Sequence, residues 1–111
     1  MAKEVFRSQL DGIVLAAIAG GPLHGYAIIE EIKRRSAGHF DPPEGTIYPI
    51  LHRLEADGLL SSTWNDPATG RRRRVYALTK SGDDALANHK NGWAQFSDAM
   101  GAFLGDAPCP A

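Results

Sequence analysis

The 111-residue chain has a single cysteine, Cys109, and no long apolar run. A single cysteine cannot form a disulfide within one chain, which fits a reducing compartment. The longest apolar run, residues 13–19, is far too short to span a bilayer, and the first residues do not have the layout of a signal peptide. These absences predict a cytoplasmic protein without a membrane-spanning segment.

The residue patterns of catalytic and metal sites are missing as well. The sequence has no nucleophile elbow, no phosphate-binding glycine loop and no paired catalytic carboxylates. Its four histidines and Cys109 do not show HxxxH, CxxC or similar ligand spacing. We therefore expect neither an enzyme nor a metal or cofactor site.

A large net charge is also absent, because the whole chain carries a formal charge of −1. The charge is unevenly distributed, however. Residues 24–80 hold nine Lys or Arg against seven Asp or Glu, whereas residues 81–111 hold one Lys against four Asp. The positive charge is densest in one run, Arg71, Arg72, Arg73 and Arg74. Local charge decides where a polyanion can bind, so a nucleic-acid partner stays compatible with this composition.

Apolar residues at helical spacing predict three helices in the first half of the chain. The first ends at the Gly-Gly-Pro sequence of residues 20–22. The second is expected to bury Tyr26, Ile29 and Ile32 and to end near Gly38. In the third, the stretch GTIYPILHRLEADGLL contains Pro49, which is tolerated only among the first four amides of a helix. The regular part of this helix is therefore expected to start near residue 46, or to bend there.

The period of the apolar pattern then changes from 3.6 to 2. Residues 59–64 and 74–79 are rich in strand formers, and the segment between them has hairpin-loop composition. Thr79 or Ser81 then caps a final helix that runs to about Gly105. This order predicts a mainly α fold with a small β-hairpin wing. We divide it into a winged helix-turn-helix domain at 1–80, a dimerisation helix at 81–105 and a flexible tail at 106–111.

The third helix has two distinct faces. Its apolar residues form one buried stripe, and the opposite arc carries Thr46, Tyr48, Pro49, His52 and Arg53. The second helix of a helix-turn-helix enters the major groove of DNA with its exposed residues forward. Thr46 and Tyr48 can donate hydrogen bonds to phosphates, and His52 and Arg53 can reach phosphates or base edges. The alternative interpretation of this arc is an ordinary solvated helix face.

The run of four arginines strengthens the DNA interpretation. Such a run is often just a solvated loop, but at the tip of a wing it can neutralise DNA phosphates and release their counterions. Strand alternation makes Arg72 and Arg74 face the opposite way from Arg71 and Arg73. Together with the polar arc just upstream, this run favours double-stranded operator DNA as the partner.

The final helix carries apolar residues seven positions apart, as in the seam between two packed helices. The seam and the residues beside it comprise Leu86, His89, Trp93, Phe96, Met100, Phe103 and Leu104. We expect a homodimer joined along this helix, because a small three-helix core cannot cover its whole length. The alternative is that the stripe covers the winged domain of its own chain. Trp93 and Phe96 could form a flat slot between two copies for a planar aromatic effector, with His89 as a polar handle.

Three segments give the chain its resemblance to a known family. LHGYAI at 23–28, EGTIYPILHRLEADGLL at 44–60 and GRRRRVYALT at 70–79 resemble the PadR-like transcriptional regulators. The resemblance implies a homodimeric repressor that a small molecule releases from its operator, with Tyr48 as a DNA-contacting tyrosine. In the short branch of the family, a tryptophan of the fourth helix can line a pocket at the dimer centre, and Trp93 stands at the matching place. Val75 and Ala77 depart from the family, which often has an aromatic and a basic residue there.

Two other classes of protein remain compatible with the residues alone. The winged domain could bind a partner protein instead of DNA, so that the basic tip is incidental. The chain could also bind aromatic compounds without contacting DNA, although the arginine run argues against this.

Overall fold

The computed structural model of the chain describes residues 2–65, 70 and 72–105, with side chains from residue 9 onward. The elements are α1 (Ala2–Ile18), β1 (Leu23–His24), α2 (Gly25–Arg35), α3 (Glu44–Ala56), β2 (Leu60–Asn65), β3 (Arg73–Leu78) and α4 (Lys80–Leu104). The predicted order of three helices, a hairpin and a long final helix is confirmed. Arg71, Cys109 and the predicted tail at 106–111 lie outside the described residues. No helix among those described is both long and apolar enough to cross a membrane.

The sheet has three antiparallel strands in the order β1-β3-β2, one more than the two-stranded wing predicted from the sequence. The extra strand, β1, pairs Leu23 with Tyr76 and His24 with Val75. A strand of two residues has no measurable alternation of polar and apolar side chains, so periodicity could not reveal it. Its consequence is that the start of α2 is joined directly to the second strand of the wing.

Apolar side chains from every helix and from the sheet form one core. The buried members are Leu10, Val14, Leu15, Ala17, Ile18, Ile28, Ile29, Ile32, Ile47, Leu51, Leu54, Leu60, Tyr76 and Leu86. The expectation that Tyr26 would be buried is wrong, because 56% of this residue is exposed. The buried stripe of α2 begins at Gly25 and continues through Ile28, Ile29 and Ile32, so Tyr26 lies one position off it.

Helix α3 begins at Glu44, two residues before the predicted start, and Pro49 lies inside it. The carbonyl of Pro43 accepts hydrogen bonds from the amides of Thr46 and Ile47 at 2.9 and 3.2 Å, which starts the helix early. Pro49 has no amide hydrogen to donate to the carbonyl of Gly45. Both residues are exposed, so water can satisfy that carbonyl and the helix tolerates the proline.

The start of α4 is tied to the turn between α3 and β2. The Thr79 hydroxyl donates to the Gly58 carbonyl at 2.6 Å and accepts from the Gly82 amide at 3.0 Å. The Thr79 amide donates to the Leu59 carbonyl at 3.1 Å. A Cβ atom on Gly82 would lie only 2.1 Å from the Leu59 carbonyl oxygen. Position 82 must therefore be glycine for α4 to leave the wing at this angle.

We predict that Gly82→Ala lowers the free energy of unfolding by about 2 kcal/mol, the usual cost of forcing an extra group into a packed site. Gly92→Ala is the matched control, because a Cβ atom there meets no other atom within 4 Å. The control should be neutral or stabilising, since alanine is the better helix former. Urea unfolding of both variants measures the difference, and equal stabilities would contradict this account of the α4 junction.

Candidate nucleic-acid interface

The structure places the polar arc of α3 on the molecular surface. Ile47, Leu51 and Leu54 are buried in the core and fix the rotation of the helix. The predicted contact residues Tyr48, His52 and Arg53 are exposed, and Thr46 is partly buried. The arc is thus available to a partner, while its DNA contacts remain a prediction.

Tyr48 is held by the start of the preceding helix. A Cβ atom on Gly25 would lie 2.7 Å from both Cε1 and the hydroxyl oxygen of Tyr48, so the phenol ring lies directly against the glycine backbone. Gly25 is buried, whereas 36% of Tyr48 remains exposed. This contact joins two helices, and neither residue alone signals it in the sequence. It gives the tyrosine hydroxyl a defined position at the surface.

Arg53 already has partners within the chain. Its guanidinium donates to Asp11 Oδ1 on α1 at 2.6 Å and lies 3.9 Å from Asp57 Oδ2. The hydrogen bond with Asp11 is the main cause that raises the pKa of Arg53. The pairing joins α3 to α1 and competes with the predicted role of Arg53 at base edges.

The arginines of the wing alternate between the two faces of the hairpin, as predicted. The guanidinium carbons of Arg72 and Arg74 lie 4.8 and 5.7 Å from the centre of the Trp64 ring. Arg73 points to the other face, where its Nη1 atom lies 3.2 Å from His24 Nε2. Arg71, the fourth member of the run, is outside the described residues.

Arg74 joins the wing to α3. Its Nε atom donates to the Ser62 hydroxyl at 2.8 Å, and its Nη2 atom donates to Glu55 Oε1 at 3.2 Å. The Ser62 hydroxyl in turn donates to Glu55 Oε2. Glu55 lies on α3, so this network sets the distance between the wing and the exposed arc. Sequence reasoning grouped Arg74 with the DNA-binding arginines and missed Glu55, which follows the polar arc on the same helix.

A cleft of about 1060 Å³ separates α2 and the start of α3 from the wing. Tyr26, Tyr48 and Trp64 line it together with the three arginines at 72–74. Glu30, Glu31 and Glu44 line it as well, and Glu31 is paired with Arg34. Within the part of the chain that the structure describes, no three His, Cys, Asp or Glu side chains are grouped to bind a metal. The guanidinium groups can pair with phosphate oxygens, and the ring of Trp64 gives two of them a flat face to pack against.

The predicted seam of α4 divides into two parts. Leu86 belongs to the core of its own chain, and the ring of His89 packs against Gly12 of α1, where a Cβ atom would lie 3.0 Å away. For these two residues the structure agrees with the alternative interpretation, in which the stripe covers the winged domain of its own chain. The later members Trp93, Phe96, Met100, Phe103 and Leu104 are all exposed. An apolar surface therefore begins one turn after His89.

We predict that Gly25→Ala displaces the Tyr48 ring and lowers the free energy of unfolding by about 1–3 kcal/mol. In a Tyr48→Ala background the ring is gone, so the same substitution should cost little. Thermal or urea unfolding of the two single variants and the double variant measures this coupling. Additive effects would show that the ring does not lie on Gly25.

The chain is similar to known transcriptional regulators. The family model described as the transcriptional regulator PadR-like family matches residues 14–88. A transcriptional regulator of Mycobacterium tuberculosis is 43% identical over 88 residues, which cover 79% of this chain and 78% of that protein. A PadR family transcriptional regulator from Eggerthella lenta is 29% identical in its crystal structure, with a TM-score of 0.82 over 94% of this chain and 88% of that one.

The fold is also that of a protein solved with DNA. Bacillus subtilis PadR in complex with operator DNA has a TM-score of 0.65 and 24% identity, over 91% of this chain and 50% of that chain. The family consists of transcription regulators and not of enzymes, which confirms the expectation drawn from the missing catalytic motifs. The matched residues include the end of α1, all of α2, the polar arc of α3, the wing and the start of α4. This chain belongs to the PadR-like family of transcriptional regulators.

Proposed function

We propose that this PadR-like regulator is a homodimeric repressor that binds operator DNA with α3 and the wing and is released by a planar aromatic effector at the dimer centre. The DNA-binding part of this proposal rests on the cleft that α2, α3 and the wing form together. Its lining includes Tyr48 of α3 and the wing arginines Arg72 and Arg73, although Tyr48 and the arginines are far apart in the sequence.

The arginines of the wing favour DNA over a protein partner. Arg73 is exposed on one face of the wing and Arg72 on the other, so two phosphate groups can be contacted from one hairpin. Thr46, Tyr48 and His52 supply hydroxyl and imidazole groups for phosphates or base edges. The relative solved with operator DNA supports the same use of the fold.

A second copy of the chain is the proposed partner of α4. The helix has 25 residues and is about 37 Å long at 1.5 Å per residue. Trp93, Phe96, Met100, Phe103 and Leu104 expose a continuous apolar surface along its second half. Surfaces of this kind usually mark an interface. A two-fold dimer would also present two copies of α3 to successive turns of DNA, about 34 Å apart.

The proposed effector slot lies at the beginning of this surface. The rings of Trp93 and Phe96 have centroids 5.9 Å apart and are tilted by 41°, and about half of each side chain is exposed. Two such pairs across a two-fold axis would enclose a flat apolar slot suited to a planar aromatic molecule. His89 lies one turn earlier, at the edge of the slot. Repression, rather than activation, rests on the resemblance to the family.

Titration of the purified protein with the duplex upstream of its own gene tests DNA binding. Six phosphate contacts across a dimer give a log–log slope of affinity against salt of roughly −5, and a random duplex should bind more weakly. Tyr48→Ala and Arg73→Ala should each weaken binding about tenfold while the dimer mass in sedimentation is unchanged. Lys90→Ala, on exposed α4, is the control and should bind normally.

Two results would contradict this assignment. Unchanged affinity in both the Tyr48 and Arg73 variants would move the DNA surface elsewhere. A folded dimer that binds neither duplex would favour a protein-interaction module in place of a DNA-binding regulator.

Trp93 fluorescence tests the effector slot. The second tryptophan, Trp64, lies on the wing, so a Trp64→Phe protein reports on Trp93 alone. Planar aromatic compounds should quench this signal, and Phe96→Ala should weaken the quenching about tenfold at a protein concentration where sedimentation still shows a dimer. Quenching that is equal with and without Phe96 would contradict the proposed slot.

A further inference from the structure

One contact joins the start of α2 to the wing through a histidine and an arginine. His24 ends β1 and caps α2, where its Nδ1 atom accepts a hydrogen bond from the Ala27 amide at 3.3 Å. Its other ring nitrogen, Nε2, lies 3.2 Å from Nη1 of Arg73. The pairing of β1 with β3 causes this approach, because His24 stands opposite Val75, two residues along the strand from Arg73.

His24 and Arg73 both present N–H donors to each other when His24 caps α2. A neutral imidazole carries one hydrogen, and a ring whose Nδ1 atom accepts from Ala27 must carry that hydrogen on Nε2. Arg73 has only donors in its guanidinium. In this tautomer two N–H groups therefore face each other, with their nitrogen atoms 3.2 Å apart.

The other neutral tautomer of His24 makes the same number of hydrogen bonds but leaves the more buried donor without its partner. If Nε2 accepted from Arg73, the Ala27 amide would lose its cap, and that amide is partly buried whereas Arg73 is exposed to water. A doubly protonated ring would lose the cap and place a second positive charge beside Arg73. Burial, and then the charge of Arg73, lower the pKa of His24, which also favours the neutral ring. The state that keeps the cap leaves Nε2–H pointing toward the cleft-lining arginine.

We propose that a backbone phosphate of bound DNA is held jointly by His24 Nε2–H and the Arg73 guanidinium. A phosphate oxygen accepts hydrogen bonds only, so it resolves the conflict of two facing donors. Both residues line the cleft beside Tyr48 and the wing, where the proposed DNA lies. This inference rests on the proposed function and adds His24 to it as a phosphate-contacting residue.

Carboxylates of the chain do not take the place of the phosphate. Glu30, Glu31 and Glu44 line the same cleft, but among the described residues none is ion-paired with Arg73. Glu31 is instead paired with Arg34. The two donors at His24 and Arg73 thus face the cleft without an internal anion.

His24→Asn tests the proposal. Asparagine is one of the residues that helices prefer at the N-cap, but its side chain is too short to reach Arg73. The variant should keep the wild-type unfolding midpoint and bind the duplex about five- to tenfold more weakly. Its salt slope should be unchanged, since a neutral donor is lost. Arg73→Ala should reduce the slope by about 2, because one charged phosphate contact is lost from each copy in the homodimer.

The double variant shows whether the two residues share one phosphate. If they do, the loss in the His24→Asn/Arg73→Ala protein is smaller than the product of the single losses. A scan with a neutral methylphosphonate at each duplex position should then find a phosphate whose replacement weakens the wild-type protein and not the double variant. The proposal would be overturned if His24→Asn bound the duplex as tightly as the wild-type protein, or if the loss in the double variant equalled the product of the two single losses. Either result would leave DNA binding itself intact.

Two further outcomes distinguish a failure of the phosphate site from a failure of the proposed DNA-binding function on which it rests. Failure of the wild-type protein to bind any duplex would overturn both the proposed function and the phosphate site. Saturable binding of inorganic phosphate at His24 in the DNA-free protein, seen in its ring nitrogen NMR signals, combined with wild-type duplex affinity in His24→Asn, would assign the pair to a free anion and overturn the DNA assignment.

Discussion

The arrangement of the cleft between α2, α3 and the wing depends on the pairing of β3 with a strand on each of its sides. Tyr76, in the middle of β3, is buried in the core, and β1 and β2 pair with the strand on either side of it. Through β1 this pairing brings the start of α2, with His24, beside Arg73. Through β2 it sets Trp64 opposite Arg74, which reaches Glu55 on α3. Without the central strand, the helix and the wing would not face a common cleft.

The two functions proposed for the chain use opposite parts of one continuous structure. Thr79 and Gly82 join the end of β3 to α4, so the orientation of the wing and that of the long helix are coupled at the α3–β2 turn. The first turns of α4, including Leu86, complete the core of the chain. Only the second half, from Trp93 onward, is free for a second copy. The junction at Thr79 and Gly82 therefore connects the wing to the part of α4 that we propose as the dimer surface.

Much of the fold was predictable because it follows from local patterns. The stripe of Ile47, Leu51 and Leu54 determined which face of α3 is exposed, and the change of period located the wing. What could not be predicted depends on contacts between distant elements: β1 is too short to show a period, and Gly25 beside Tyr48 is a contact between two helices. The heptad spacing of α4 predicted a seam between two copies, but spacing cannot tell whether a residue packs on its own chain, as Leu86 does, or on another.

Hydrogen exchange of the full chain, with and without the duplex upstream of its gene, tests the central claim that the cleft between α2, α3 and the wing is the DNA-binding surface. The account predicts that the duplex slows exchange of the amides at the start of α2, in the first turns of α3 and in β3, while amides in the second half of α4 are unaffected. Protection confined to α4, or no protection at a duplex concentration that saturates binding, would contradict it.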